Sequence, residues 1–453
     1  MRALQVVAWG AVVACGGKSE AGTCPVPKGT VVHDADEADV DATWSASAGV
    51  HVVRGSVQLD DVTLTLEPCV TVRLEADASL TLQGGALIAI GTEKKPIVFE
   101  REGERAWGAV TLRDATGQLA WTTLRGGGSD TFADFTALLV EGPDTPEGAE
   151  RVTLDHVTIE DSAGPGLSLR SGATAAAGGT LTVRRSGVPD DAPWAWGPVV
   201  VEPVALTTLP ALTLQDNAGG DEVVLELFDA GGDLAGAYVG DVTIRDLGVP
   251  YRVGRNVEDI FKPFGADGRQ SSLTIEAGVE LRFVPGARLD IESHPAFGGS
   301  SLLIAQGTAD RPIRFTSAKA TPAAGDWVGL TLDFNADADH APPAGSRLDH
   351  VEVSYAGYDP SRGGYVCPEA VGDETQAAGI AVLNGNPGGA WITHTTVRDT
   401  VGHGFLRGWQ SPDQGPVQTF LTDGNAVIRV TSCDETGTRD AFNACEDNAS
   451  CGG

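Results

Sequence analysis

The sequence predicts an all-β solenoid, in which short strands wind into coils that stack on one another. Three observations lead to this prediction: apolar residues alternate within short segments, one long pattern of segments occurs twice, and a shorter pattern recurs several times. Alternation with period two is the strand signal, because successive side chains point to opposite faces. A repeat that cannot bury its apolar face alone gains a core by stacking on its neighbours.

The long pattern is clearest in residues 272–332, where the segments read LTIEAGVELRF, LLIAQGT, PIRF and WVGLTL. Residues 64–112 give LTLEPCVTVRL, LIAIGT, PIVF and WGAVTL in the same order. The offset between the copies grows from 209 at Ile275 (against Leu66) to 220 at Trp327 (against Trp107). The second copy therefore contains insertions, and insertions that spare the strands indicate loops on a repetitive scaffold.

The short pattern reads LDHVTI, LDHVEV and ITHTTV, which places His156, His350 and His394 in one shared slot. Each copy is interpreted as one strand of one coil. Because 44 residues separate His350 from His394, we expect them to lie on coils that are not adjacent. The slot predicts a hydrogen-bonding histidine beside a strand, with a ladder of metal ligands as the alternative.

These patterns together resemble those of bacterial right-handed parallel β-helix proteins over about residues 46–430. The resemblance implies a single-stranded right-handed parallel β-helix of the pectate-lyase-like fold, forming one elongated domain. Many such proteins are exported and have no known reaction, so the fold does not deliver the function. The predicted division is 1–14 signal peptide, 15–45 tether and cap, 46–430 β-helix in two halves (about 46–250 and 251–430), and 431–453 Cys-rich tail.

The N-terminus predicts export. A positive Arg2 precedes a short apolar run that ends in Val-Val-Ala before Cys15, and this order is typical of a secretory signal. The run is shorter than the roughly 20 residues that span a bilayer. Its end resembles the bacterial lipobox, which implies lipidation of Cys15, with a plain secretory signal as the alternative. Gly16 after the cysteine suggests the outer membrane, so we expect a cell-envelope or cell-surface location.

Cysteine content agrees with export. Six cysteines remain besides Cys15, and an even number in an exported chain favours disulfides over metal or catalytic sites. The candidates are Cys24, Cys69, Cys367, Cys433, Cys445 and Cys451. A Cys24–Cys69 bridge would tie the N-terminal segment to the first coils, whereas the pairing of the last four cannot be read from the sequence.

Charge excludes one class of partner. With 31 Lys and Arg against 62 Asp and Glu, the net charge is −31. Nucleic-acid binding requires a basic face, so no nucleic-acid partner is expected. The acidic surface is interpreted as solvation of a large area, with cation binding or association with cationic envelope groups as the alternative.

Two motifs resemble known catalytic or metal sites. Gly402-His403-Gly404 looks like the Gly-His-Gly of polygalacturonases, but internal alignment puts His403 in the slot of Pro165, so we predict a turn and no catalytic residue. In residues 333–340, oxygen-bearing side chains alternate as in calcium loops. The weak calcium candidates, in a loop for which plain solvation is the favoured interpretation, are Asp333, Asn335, Asp337 and Asp339.

Two functions stay open at this point. The favoured one is a non-catalytic, lipid-anchored cell-surface β-helix protein that presents loops for recognition or adhesion, with polysaccharide or an envelope protein as partner. The predicted loops are Pro143–Glu150, Pro189–Trp196 and Tyr358–Gln376. The alternative is a polysaccharide lyase or glycosidase, which would bring carboxylates or an Asp/Arg group together in one groove. No cofactor is expected apart from the weak calcium candidate.

Overall fold

The computed structural model of this chain describes most of the predicted β-helix. The described residues are 22, 24–35, 39–129, 136–143, 149–188, 196–227, 237–255, 259–265, 269–293, 299–334, 343–357, 377–408, 415, 419–431, 434–439 and 444–447.

The described chain forms five β-sheets, numbered here sheets 1 to 5. Sheet 1 contains β1 (Thr30–His33), β3 (Val50–Val53), β6 (Thr71–Leu74), β9 (Ile97–Arg101), β12 (Thr122–Arg125), β15 (Val157–Glu160), β18 (Thr180–Arg184) and β20 (Ala211–Gln215). Sheet 2 contains β2 (Ala42–Trp44), β5 (Thr63–Leu66), β8 (Ala86–Ile90), β11 (Thr116–Ala120), β14 (Ala149–Asp155) and β17 (Ala173–Ala175).

Sheet 3 is the longest, with 13 strands. It contains β4 (Ser56–Asp60), β7 (Ser79–Gln83), β10 (Val110–Arg113), β13 (Leu138–Glu141), β16 (Leu167–Arg170), β19 (Val199–Val201), β21 (Val223–Leu225), β24 (Tyr251–Val253), β27 (Glu280–Phe283), β30 (Ile313–Ser317), β33 (Val351–Ser354), β36 (Thr396–Thr400) and β38 (Ala426–Val430).

The C-terminal half adds two sheets. Sheet 4 contains β22 (Ala237–Tyr238), β25 (Ile260–Pro263), β28 (Arg288–Glu292), β31 (Gly329–Asp333), β34 (Ala378–Leu383), β37 (His403–Gly408), β39 (Glu435–Arg439) and β40 (Ala444–Asp447). Sheet 5 contains β23 (Asp241–Ile244), β26 (Gln270–Ile275), β29 (Ser300–Gln306), β32 (Arg347–Asp349) and β35 (Ile392–Thr393). A 3₁₀ helix covers Pro203–Thr208.

The predicted parallel β-helix is confirmed. Successive strands along the chain belong to different sheets. Most strands pair with the strand that comes third after them in the chain, as β4 does with β7 and β27 with β30. Among the described strands the pairing is parallel, except for the antiparallel pair β39 and β40. Sheet 3 runs without a break from β4 to β38 and so passes through both predicted halves.

The core consists of ladders of inward-facing side chains from consecutive coils. In sheet 1, Val72, Phe99, Leu124, Ile159 and Val183 stand in register and are buried. Alternate positions of the same strands are partly exposed, as in β6. Burial of apolar surface stabilises the fold by about 25 cal/mol per Å². Stacking of the coils therefore supplies the core that no single coil has.

The short histidine pattern is two strands and not one, so its interpretation as a single strand is wrong. His156 separates β14 from β15, and His350 separates β32 from β33. Both residues have positive φ (53° and 51°), as do Trp121 and His394 in the same slot. A positive φ turns the chain out of the extended line, so the slot is a corner between two sheets.

The two copies of the long pattern occupy different sheets. In the first copy LTL lies on β5 of sheet 2 and TVRL on β6 of sheet 1, whereas in the second copy LTI lies on β26 of sheet 5 and ELRF on β27 of sheet 3. The equivalence is supported by Trp107 and Trp327, which are both buried and donate their indole N–H to the carbonyls of Arg125 and Ser354. The strands of the second copy that correspond to sheet 1 strands of the first copy therefore lie in sheet 3.

No helix among the described residues has the length and apolar character needed to cross a bilayer.

Candidate functional site

A groove of about 490 Å³ lies on the outer face of sheet 3 in the C-terminal half. Its lining contains four cationic and three anionic side chains. The cationic residues are Arg282, Arg314, Lys319 and Arg398, and the anionic residues are Glu222, Glu280 and Glu352. The chain as a whole carries twice as many acidic as basic residues. The groove therefore carries a local excess of positive charge, whereas the molecule as a whole is acidic.

Strand register places these charges together. On β27, β30 and β33 the apolar residues face the core, so the residues between them face outward. One outward row aligns Glu280, Arg314 and Glu352. Paired strands lie about 4.8 Å apart, so residues more than 30 positions apart in the sequence become neighbours along the row.

A second outward row lies beside the first. It aligns Arg282, Thr316, Ser354 and Arg398 across the same three strands and β36. The hydroxyls of Thr316 and Ser354 are 3.0 Å apart and hydrogen-bonded. The floor of the groove is thus polar, with guanidinium groups at both ends of the second row.

An insertion of the second copy lines one side of the groove. The segment between β30 and Trp327 is four residues longer than its counterpart before Trp107, and Lys319 and Pro322 of this segment line the groove. Asp326 anchors the insertion: its carboxylate accepts hydrogen bonds from Ser317 Oγ at 2.7 Å, Lys319 Nζ at 2.6 Å and the Ala323 N–H at 2.8 Å. Burial acts to raise the pKa of Asp326, but these donors outweigh it and hold the pKa below its ordinary value.

The carboxylates of the groove are engaged in ion pairs. Arg398 Nε donates to Glu352 Oε1 at 2.7 Å, and Arg282 Nε donates to Glu280 Oε1 at 2.6 Å. Glu222, which is 9% exposed, lies 3.3 Å from Arg252 Nε and 3.6 Å from Arg282 Nη1. Burial acts to lower the pKa of Arg398, but its bonds to Asp399 and Glu352 raise the pKa above its ordinary value.

Arg314 differs from the other arginines of the groove. It is exposed and, among the described residues, it lies within 4.0 Å of no carboxylate oxygen, although Glu280 and Glu352 flank it in its row. A guanidinium presents a planar fork of N–H donors that matches carboxylate, sulfate or phosphate oxygens. Arg314 can therefore receive an anionic group of a ligand without first breaking an internal ion pair.

The equivalent face of the first copy has its charges paired internally. On sheet 1, Arg73 pairs with Glu100 at 2.9 Å, and buried Glu160 accepts from Arg125 and Arg184 at 2.6 and 2.7 Å. Burial acts to raise the pKa of Glu160, but the arginines outweigh it and lower the pKa. The open groove is therefore a property of the second copy and of its insertion.

The histidine slot brings together residues that the sequence separates. The expectation that His350 and His394 lie on coils that are not adjacent is wrong: β32 pairs directly with β35, and the two rings stack with centroids 4.4 Å apart. Both Nδ1 atoms lie near one oxygen of Asp349, at 3.0 and 2.9 Å. These three residues are the described set that could hold a metal ion.

The third histidine of the slot has different neighbours. His156 stacks on Trp121 of the adjacent coil at 4.0 Å, and its Nδ1 lies 2.8 Å from Asp155. Its environment is one imidazole, one carboxylate and one indole. The predicted hydrogen-bonding role beside a strand describes this residue well.

The other residues singled out in the sequence are not brought into the groove. The turn predicted at Gly402-His403-Gly404 is wrong for two of its residues: Gly402 has a positive φ of 80°, but His403 and Gly404 lie in β37, where His403 is buried. Asp333 ends β31 and accepts a hydrogen bond from Asn384 Nδ2 at 2.9 Å. The remaining calcium candidates, Asn335, Asp337 and Asp339, lie outside the described residues, and calcium binding there stays a prediction.

One predicted disulfide is present. Cys24 and Cys69 are bonded, with their Cα atoms 5.4 Å apart. Cys15, Cys367, Cys433 and Cys451 lie outside the described residues, as does the side chain of Cys445 on β40. Lipidation and the other pairings stay predictions.

The groove was not predicted from the sequence. The signal that could have found it is the alternation of charge at outward positions in the second copy: Glu280 and Arg282, Arg314, then Glu352 and Arg398. Comparison with protein-family models, with curated proteins and with solved structures found no match to this chain. The site is therefore interpreted from its own geometry.

Proposed function

We propose that this chain is an exported β-helix protein of the pectate-lyase-like kind that binds an anionic polysaccharide along the groove of sheet 3 without cleaving it. The observation that supports this most directly is the exposed guanidinium of Arg314, which lies between Arg282 and Arg398 on a polar floor. Attachment to the outer membrane through a lipid on Cys15 stays a prediction of the sequence and is independent of the groove.

The shape of the groove favours a chain of sugars over a compact ligand. Five of its seven charged residues come from β27, β30, β33 and β36, four consecutive strands of one sheet. At about 4.8 Å per strand, these strands span roughly 14 Å, and sheet 3 continues beyond them through β24 and β38. Repeated carboxylates or sulfates on such a polymer would meet guanidinium groups at intervals along the row.

The ion pairs favour binding over hydrolysis. A glycosidase uses one carboxylic acid with a raised pKa and a second free carboxylate. In the groove, Glu280, Glu352 and Glu222 each pair with an arginine, so none of them is a free carboxylate. The predicted recognition loops fall for most of their length outside the described residues, so this proposal depends on the groove.

Binding of polygalacturonate to the mature chain tests the proposal, with neutral dextran as the comparison polymer. We expect calorimetric binding of the polyuronate that weakens as salt is raised, because charge screening acts on exposed pairs. Arg314→Glu removes one attractive contact and adds a repulsive one, each worth about 1 kcal/mol at an exposed site. The two together weaken binding by roughly 10- to 30-fold.

Arg347→Glu is the matched control, because Arg347 is an exposed strand arginine on sheet 5 and the change alters the net charge equally. Equal weakening by both variants would show a general charge effect and would contradict a specific role for the groove. Equal affinity for dextran and polygalacturonate would contradict anion recognition.

A polysaccharide lyase is the second candidate, and Arg314 is the observation that favours it. β-Elimination from a uronide requires a base next to the acidic C5–H, and an arginine with no carboxylate partner is the one such group in the described part of the groove. Incubation of polygalacturonate with and without calcium, followed by ultraviolet absorbance of the unsaturated product, separates the two functions. Absorbance that grows with time and is lost in Arg314→Ala would replace the binding proposal with the lyase.

A further inference from the structure

The corner between sheets 5 and 3 contains a cluster of metal-ligating side chains outside the groove. Asp349 ends β32, His350 follows it at the corner, and His394 occupies the same corner one coil later. Their candidate ligand atoms all lie within 4.8 Å of one another. The side chains of Asp349 and His350 are about one quarter exposed, and that of His394 is half exposed, so the cluster is reachable from solvent.

Hydrogen bonding leaves part of this cluster unsatisfied. Oδ1 of Asp349 accepts from Thr393 Oγ1 at 2.8 Å and lies 2.9 Å from His394 Nδ1. His350 Nδ1 is 3.0 Å from the same oxygen, but it is a buried atom that makes no hydrogen bond. Two imidazole nitrogens are thus directed toward one carboxylate, and one of them is without a hydrogen-bond partner.

The separations suit coordination by one ion. Zinc binds imidazole nitrogen at about 2.0–2.1 Å and carboxylate oxygen at about 2.0–2.2 Å. Two ligands of a tetrahedral ion at these bond lengths lie about 3.3–3.5 Å apart, so the nitrogen–oxygen distances of 3.0 and 2.9 Å in the cluster need to lengthen by only about half an ångström on binding. Because the rings are stacked nearly parallel, with a 19° angle between their planes, binding requires His394 to turn its ring toward the ion. Its exposure permits that rotation.

Neighbouring coils leave room for the ring of His394. Gly424 follows in the same slot with a φ of 78°, and a Cβ there would lie 2.7 Å from His394 Cδ2. A side chain at residue 424 would therefore press on the ring.

We infer that Asp349, His350 and His394 form a site for one divalent transition-metal ion, with zinc as the representative. Two nitrogens and one oxygen favour zinc, nickel or copper over calcium and magnesium, which prefer sets of six or more oxygens. Three protein ligands leave at least one position to water. The bound ion links two consecutive coils at a corner, beside the strand that carries Glu352 of the groove.

Calorimetric titration of the untagged, chelator-treated mature chain with Zn²⁺ tests this inference, with Ca²⁺ titrated in parallel. We expect one Zn²⁺ per chain at this site, no comparable Ca²⁺ binding, and an increase in the thermal unfolding temperature with Zn²⁺. His394→Phe keeps an aromatic ring in the stack and removes both nitrogens. Since loss of a supporting outer-shell group already costs about 10- to 100-fold in metal affinity, loss of this ligand weakens Zn²⁺ binding by at least about 10-fold.

His156→Phe is the matched control, because His156 occupies the same slot with an aspartate but has Trp121 in place of a second histidine. Its Zn²⁺ affinity is expected to equal that of the unmodified chain. Unchanged Zn²⁺ binding in His394→Phe, equal losses in both variants, or tight Ca²⁺ binding that is also lost in His394→Phe would each overturn the inference. Asp349→Asn gives a second loss variant if His394→Phe does not fold, as checked by circular dichroism.

Discussion

Phe283 offers a sharp test of the packing on which the fold depends. It is fully buried on β27 and stacks on Trp327, with ring centroids 4.1 Å apart and an angle of 11° between the planes. Phe315 of the next strand lies 6.3 Å away. Phe283 therefore fills the space between two strands of sheet 3 and the buried tryptophan that precedes β31.

Replacing Phe283 with alanine removes the ring and leaves a cavity beneath Trp327. Burial and cavity effects of a Phe→Ala change cost about 3–5 kcal/mol, of which the aromatic pair accounts for roughly 0.5–1.5 kcal/mol. We expect the free energy of unfolding to fall by about 4 kcal/mol. Phe283→Leu should cost only about 1 kcal/mol, because it nearly conserves volume and because Leu74 fills the equivalent place beside the first copy of the pattern.

Urea denaturation followed by tryptophan fluorescence and by circular dichroism measures these changes. Coincidence of the two signals tests whether the coils unfold together, which repeat proteins do not always do. Ile428→Ala is the control, since Ile428 is 42% exposed on β38 and surface changes stay within about 0.5 kcal/mol. A loss below about 1 kcal/mol for Phe283→Ala, or one no larger than that of Ile428→Ala, would refute the packing described here.

Two further predictions concern a corner ion pair and the disulfide. Arg429 donates to Asp399 at 2.5 Å and, with burial opposing, lowers the pKa of Asp399. A carboxyl group with a lowered pKa stabilises the folded state at pH values above its unfolded pKa of about 3.9. Asp399→Asn should therefore have a lower melting temperature than the parent at neutral pH and the same melting temperature in strong acid. A difference in melting temperature that does not change with pH would contradict this. The Cys24–Cys69 bridge closes a 45-residue separation, so the double serine variant should lose about 4 kcal/mol in chain entropy. An unchanged denaturation midpoint after reduction would contradict that estimate.

The fold was predictable because its signal is local and repeated. The alternation in residues 272–291 gives β26, β27 and β28, and the same text in residues 63–83 gives β5, β6 and β7. Each strand is specified by its own apolar residues, and repetition of the text shows that the strands stack. A parallel β-helix has few other long-range requirements, so the order of the repeated segments along the sequence is nearly sufficient to predict the fold.

The site was less predictable because it depends on which coils are adjacent. His350 and His394 are neighbours although 44 residues separate them, whereas Trp121 and His156, which occupy equivalent slots, are 35 apart. An insertion leaves the coil at a loop and does not change the register of the strands, so counting residues gives the wrong distance. Counting copies of the repeated pattern gives the correct number of coils between two residues. The same count would have placed Arg398 beside Glu352.

The displacement of the second copy by one sheet has a consequence for engineering this molecule. A coil transplanted from residues 64–112 into the second copy by matching the text would present its outward side chains on sheets 5, 3 and 4 in place of 2, 1 and 3. A binding surface copied from one half to the other would then point in a different direction around the axis. If the segment that carries Arg314 is grafted onto the first half by matching the sequence pattern, its outward side chains will lie on sheet 1. They will not lie on sheet 3, although sheet 3 passes through both halves.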